Sequence, residues 1–213
     1  MVHYLKFIGF TYIWGIAHVS QGATLVNTMD RLQLFLKCIV TSLCLFGAQG
    51  GLAVDADKLD ALFAELSDSD VQGADIIEQN LYAELSRSGS DAMDLLLERG
   101  RDAMDMGDMA LAFEHLSALV DHAPNFAEAY NARATALYHM GLYGAAMADI
   151  AMTLTLEPRH FGAMSGMALI LEALGQPGNA LRVLQQVQAI HPHMIELDQR
   201  IERLELALIG AAL

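Results

Sequence analysis

Residues 127–160 read AEAYNARATALYHMGLYGAAMADIAMTLTLEPRH, and residues 161–194 read FGAMSGMALILEALGQPGNALRVLQQVQAIHPHM. Laid over these, residues 93–126, MDLLLERGRDAMDMGDMALAFEHLSALVDHAPNF, keep the same residue types in the same columns. Proline recurs at Pro124, Pro158 and Pro192, and glycine at Gly107, Gly141 and Gly175. Alanine falls at Ala112, Ala146 and Ala180, and small residues at Gly100, Ala134 and Ala168. Large apolar side chains recur at Leu116, Ile150 and Leu184, and again at Leu96, Tyr130 and Met164. Six independent columns at one spacing signal stacked supersecondary units.

Each column has a physical task. Apolar residues at helical spacing, such as Tyr130, Ala134 and Leu137, predict a first helix. Gly107, Gly141 or Gly175 then supplies the positive φ that ends it. A second helix follows, turning Ala112 and Leu116, Ala146 and Ile150, or Ala180 and Leu184 inward. Small residues on one helix opposite alanine on its partner let the two backbones cross closely. The proline stops the second helix and opens the next unit. A hairpin of this kind buries its apolar face only by stacking on its neighbours.

The flanks also read as helical. Leu59, Leu62, Phe63 and Leu66 form one stripe, and Ile76, Ile77, Leu81 and Leu85 a second after Gly73. This pair, within residues 54–92, does not fit the 34-residue template and is expected to act as an N-terminal cap or a degenerate hairpin. Residues 195–213 put Leu197, Ile201, Leu204 and Leu208 on one stripe, with Glu196, Gln199, Arg200, Arg203 and Glu205 on the polar side. That pattern suits a helix closing the array. The apolar ending Leu206–Leu213 either packs back on the third unit, the favoured reading, or joins two chains into a homo-oligomer. The expected fold class is all-α, an α-solenoid of three helical hairpins with an N-terminal helix pair and a C-terminal capping helix.

Composition agrees. The chain of 213 residues is 54% hydrophobic but only 7% aromatic, with 4 Pro and a net charge of −14. Such a chain can bury a core, which excludes global disorder. An excess of Ala, Leu, Met, Glu and Asp over Val, Ile and Thr favours helix. Acidic excess argues against duplex nucleic acid as a partner, since binding there needs Lys and Arg to displace counterions.

Residues 1–53 differ from the rest, with Lys6, Arg31 and Lys37 against the single acid Asp30. From Met29, Arg31 and Lys37 precede the apolar run Cys38–Ala48, and Gly51-Leu52-Ala53 offers small residues for cleavage. Residues 29–53 therefore read as a signal peptide cleaved after Ala53, which places the product in the periplasm. The alternative is an uncleaved anchor in the inner membrane facing the periplasm, so that membrane contact is expected only through the presequence. Residues 1–28 read as a doubtful upstream extension, with translation starting at Met29; the alternative is a real, weak first anchor. Cys38 and Cys44 lie inside the apolar run, so a cleaved product has no thiol for disulfides, catalysis or metal binding.

The repeat resembles the tetratricopeptide repeat family. Units 93–126, 127–160 and 161–194 supply the family's large, small, Ala and Pro positions in register, over about half of the chain, and the layout is similar to small secreted proteins of Gram-negative bacteria. Two departures stand out: Ala103 where a large residue is usual, and Leu119, Thr153 and Val187 where Ala is usual. These predict looser packing between units. The resemblance implies that the first helix of each unit lines a concave surface. The positions implied are Asp94, Leu97, Arg101 and Met104; Glu128, Asn131, Thr135 and Tyr138; and Gly162, Ser165, Leu169 and Glu172. In that setting Asn131 would hydrogen-bond a peptide backbone, Arg101 would pair a carboxylate and Tyr138 would serve as an anchor. The lysines of the co-chaperone carboxylate clamp are absent from these positions.

Nothing in the sequence assembles an active site, and no enzymatic activity is expected. Asp102, Asp105 and Asp108 cluster where the first hairpin turns, and Asp108 is placed to cap the next helix. A calcium loop would need a longer oxygen-rich run closed by a bidentate Glu. Met104, Met106 and Met109 are soft ligands of the kind that carry Cu(I), but ten methionines spread through all three units fit core filling better. The six histidines after position 53 show no ligand spacing, so no metal or other cofactor is expected. The remaining expectation is non-enzymatic binding of a peptide or helix, apolar and basic against a net charge of −16 from residue 54 onward, in a cell-envelope scaffold.

Overall fold

Gly107, Gly141 and Gly175 take φ values of +80°, +74° and +68°, and each ends a helix the same way. In the first unit the Gly107 N–H donates to the Met104 carbonyl and the Asp108 N–H to the Ala103 carbonyl, both at 2.9 Å. Gly141 with Leu142, and Gly175 with Gln176, repeat the pattern on Tyr138 and Leu137 and on Glu172 and Leu171. Paired bonds of this kind satisfy the last free carbonyls and reverse the chain only where φ is positive.

These turns belong to a computed structural model that describes residues 56–69 and 71–211. The expected signal peptide 29–53, the extension 1–28, Cys38, Cys44, Asp70 and Ala212–Leu213 lie outside the described residues. Among the described residues there are nine α-helices and no strand. They are α1 (Ala56–Asp68), α2 (Val71–Leu85), α3 (Asp91–Asp105), α4 (Met109–His122), α5 (Ala127–His139), α6 (Tyr143–Leu156), α7 (Phe161–Ala173), α8 (Pro177–Ile190) and α9 (Leu197–Ala211). The all-α solenoid expected from the sequence is what the chain forms: α3–α4, α5–α6 and α7–α8 are the three hairpins.

The prolines act as read. Each even helix stops two residues before its proline, and Ala123, Glu157 and His191 take φ near −130° instead of helical geometry. That is the conformation a following proline imposes. Ala112, Ala146 and Ala180 are fully buried, as are Leu116 and Leu184, with Ile150 nearly so. Opposite them, a Cβ built on Gly100 would lie 2.5 Å from Leu116 Cγ. The first hairpin therefore has no room for a side chain at this position. Ala103, where a large residue is usual, is fully buried in the first unit. Leu119, Thr153 and Val187 are fully buried, and the Thr153 hydroxyl donates to the Asp149 carbonyl at 3.0 Å.

Gly100→Ala is expected to cost about 1–3 kcal/mol, because Leu116 has to leave its rotamer. Gly144→Ala, which meets open space on α6, should instead gain a few tenths to about 1 kcal/mol from helix propensity. Urea unfolding of the two variants checks the opposite signs.

The N-terminal pair is built into the array through its apolar stripes. Leu59, Phe63 and Leu66 of α1 and Ala74, Ile77, Leu81 and Leu85 of α2 share one core with Phe161, Ala168, Ala180, Leu184, Val187, Leu197, Ile201 and Leu204. The pair thus packs on the third unit and α9, while a separate core joins the first hairpin to α5. Arg159 fixes the docking: it lies 2.7 Å from Asp60, and its guanidinium sits 4.3 Å from the Phe63 ring centroid. Ile76, expected on the inner stripe, faces solvent. At the other end, Leu197, Ile201 and Leu204 pack inward as expected, and Leu208 reaches toward Gly178, but Leu206 and Ile209 remain exposed.

Candidate binding groove

The odd helices α3, α5 and α7 lie side by side, α3 against α5 and α5 against α7. They carry all twelve positions expected on the concave surface. At its centre is Glu128, which opens α5 and is almost wholly buried. Its Oε1 accepts from Arg101 Nη2 at 2.5 Å, and its Oε2 from Asn131 Nδ2 at 3.1 Å. His160 Nε2 stands 2.9 Å from the same Oε2. His160 Nδ1 accepts the Ala163 N–H at 3.1 Å and so caps α7. That bond places the ring proton on Nε2, where it is donated to Glu128. Burial by itself raises the Glu128 carboxyl, but the bonds from His160 and Arg101 outweigh it and hold the carboxyl below its ordinary range.

The helix α2 meets the starting end of α7, and the turn after it reaches Arg101 of α3. The Ser86 hydroxyl accepts from Arg101 Nη2 at 3.0 Å. The Tyr82 ring meets Phe161 edge-on at 5.4 Å, and its hydroxyl lies 3.3 Å from the place a Cβ on Gly162 would take. Burial, then the carboxylates of Glu78 and Glu128, push the Tyr82 hydroxyl up to about 12, with Arg101 pulling the other way. Glu78 Oε2 is 3.1 Å from Nε2 of the buried His191. The chain's own N-terminal pair therefore occupies part of the expected groove.

The expected residues separate accordingly. Arg101 and Asn131 are drawn together by Glu128, so neither has its whole hydrogen-bonding set free. Asp94 accepts from the Ser88 N–H and hydroxyl, and Leu97 is buried. Met104 packs into the first core, Ser165 is buried with its hydroxyl 4.0 Å from Met194 Sδ, and Glu172 pairs with Arg200 at 2.9 Å and Arg203 at 3.4 Å on α9. Thr135 and Leu169 are exposed, with the Thr135 hydroxyl bonded to the Asn131 carbonyl. Tyr138 is half-buried, its ring 5.6 Å from that of Tyr143. The open stretch is thus Thr135, Tyr138 and Leu169, toward the C-terminal ends of the helices.

Sequence reasoning missed Glu128 and His160 as a pair. They stand at the second and last positions of one unit, 32 residues apart, and meet because the unit returns the chain to its start. Asp108 does cap α4, accepting the Leu111 N–H at 3.0 Å. Met106 is exposed at the turn while Met104 is packed inward.

No family model matches the sequence. A curated protein of Rhizobium etli, named a TPR repeat-containing protein, is 33% identical over 154 residues, covering 72% of this chain and 76% of its own. Among solved structures, the first TPR of Spaghetti bound to an HSP90 peptide matches with a TM-score of 0.53 at 20% identity, over 55% of this chain and 93% of its own. The TPR2B domain of yeast Sti1 in complex with an Hsp70 peptide gives 0.52 at 20% identity, over 55% and 99%. MamA gives 0.51 at 22% identity, over 68% and 82%. These structures share the stacked hairpins described above.

Proposed function

Because the chain belongs to the tetratricopeptide repeat family, we propose that it is a non-enzymatic protein-interaction module whose partner segment lies along Thr135, Tyr138 and Leu169. The observation that carries this reading is the division of the groove. Internal partners claim Glu128, Ser165 and Glu172, whereas Tyr138 stays half-open between two exposed side chains. An aromatic ring with a polar tip and a rigid position makes an efficient anchor. Spaghetti and Sti1 hold peptides on the same fold, which supports a peptide here, but of different chemistry. A buried carboxylate at the groove centre and an acidic surface disfavour an acidic peptide and favour an apolar and basic one.

We place this activity in the cell envelope, as part of a scaffold, on the strength of the signal-like residues 29–53. Affinity capture from envelope extracts, with the recovered chain's N-terminus read directly, tests both parts. Replacing Thr135, Tyr138 and Leu169 together by Ala should weaken the captured partner's binding by about tenfold or more. Retention at full affinity would reject the groove. A recovered N-terminus at Val54 fits cleavage after Ala53; one at or before Met29 removes the cleaved-export reading.

A further inference from the structure

The residue just before each turn glycine is apolar in all three units: Met106, Met140 and Leu174. All three face solvent, with relative exposures of 72%, 41% and 51%, and Leu142 beside them is 48% exposed. Tyr143, its ring tilted against that of Tyr138, extends the same edge between the odd and even helices. Solvent-facing turn tips are ordinarily polar, and an apolar row at the repeat period marks an interaction surface. At the first-unit end stand Asp102, Asp105 and Asp108, all exposed, and no cation among the described residues pairs with them. Methionine-rich ledges of this kind accept varied apolar side chains.

We propose that this edge is a second docking surface, distinct from the groove, and that it receives an amphipathic α-helix of another protein with basic residues at the end that meets the first unit. Spacing decides for a helix. Adjacent packed helices lie about 8–10 Å apart, so the three tips are spaced by about that distance. Seven residues of α-helix rise about 10.5 Å, so apolar residues at i, i+7 and i+14 meet successive tips from one face. An extended strand covers about 10 Å in three residues, and an odd step turns every second side chain away. Direction is set by charge: among the three turn tips, exposed carboxylates without a cation partner sit at the first-unit end, where Lys or Arg of the incoming helix would neutralise them.

The test uses the full exported chain and a labelled synthetic helix of about 18 residues, Leu at every seventh position and Lys at one end, followed by fluorescence anisotropy. Binding should weaken about tenfold in the variant Met106→Ser, Met140→Ser, Leu174→Ser, and similarly when the peptide's Lys are replaced by Glu. Asp102→Asn with Asp105→Asn should weaken it several-fold at low salt only. Since these side chains are exposed, circular dichroism should show the fold unchanged. Thr135→Ala with Leu169→Ala should leave the affinity unaltered, which separates this surface from the groove. No binding, equal binding of the Glu peptide, or indifference to the triple Ser variant overturns the proposal. A dimer of the chain itself that the triple variant abolishes also overturns it.

Discussion

Phe161→Ala is expected to lower the unfolding free energy by about 3–5 kcal/mol, the range for removing a fully buried aromatic ring. Phe161 opens α7 and is wholly buried, with Tyr82 of α2 meeting its ring edge-on at 5.4 Å and His191 at 5.3 Å. It is the side chain through which the N-terminal pair, the third unit and the turn after α8 share one core. The loss should therefore be local. In an array whose layers contact mainly their neighbours, a cavity weakens its own junction most. Amide exchange should accelerate in α1, α2, α7 and α8 and change least in α4. Uniform acceleration through every helix, or a loss below about 1 kcal/mol, would show that the pair is not fastened through this ring.

The repeated part of the fold is legible in the sequence because its determinants are local. A glycine with positive φ, a proline two residues past a helix end and an alanine facing a neighbouring backbone each act within a few residues and recur at a fixed period. The position of the N-terminal pair is not legible in that way. Leu59, Phe63 and Leu81 announce amphipathic helices, but nothing periodic says which layer they meet, and their partners Phe161, Leu184 and Ile201 lie 80 or more residues away. The same holds for the groove. Family positions name Arg101, Asn131 and Glu172 correctly as members of the odd helices, yet whether each is free depends on Glu128, His160, Arg200 and Ser86, contacts that cross units. What repeats can be read; what breaks the repeat has to be seen.

Glu128→Gln should cost about 2–3 kcal/mol at neutral pH, because it replaces charged hydrogen bonds by neutral ones in a buried site. The amide keeps the size of the side chain and one acceptor, but it cannot satisfy Arg101, Asn131 and His160 together, whose polar atoms lie at 2.5, 3.1 and 2.9 Å. Arg101 is partly exposed, so solvent screening keeps the loss below that of a fully buried pair. The pH dependence has a definite sign. The folded carboxyl titrates below its ordinary value of 4.5, so the unfolded chain binds the proton more readily. Its contribution is complete above that value and is lost as the pH falls through the folded one. The stability gap between the native chain and the Gln variant should accordingly be constant near neutrality and shrink below about pH 4.5, as urea unfolding across a pH series would record. Taking the difference against the variant removes the other carboxylates, which titrate alike in both chains. A gap that widens on acidification would mean that Glu128 is protonated in the folded state, and the network around it would then have to be redrawn with a neutral acid that still accepts from His160 Nε2.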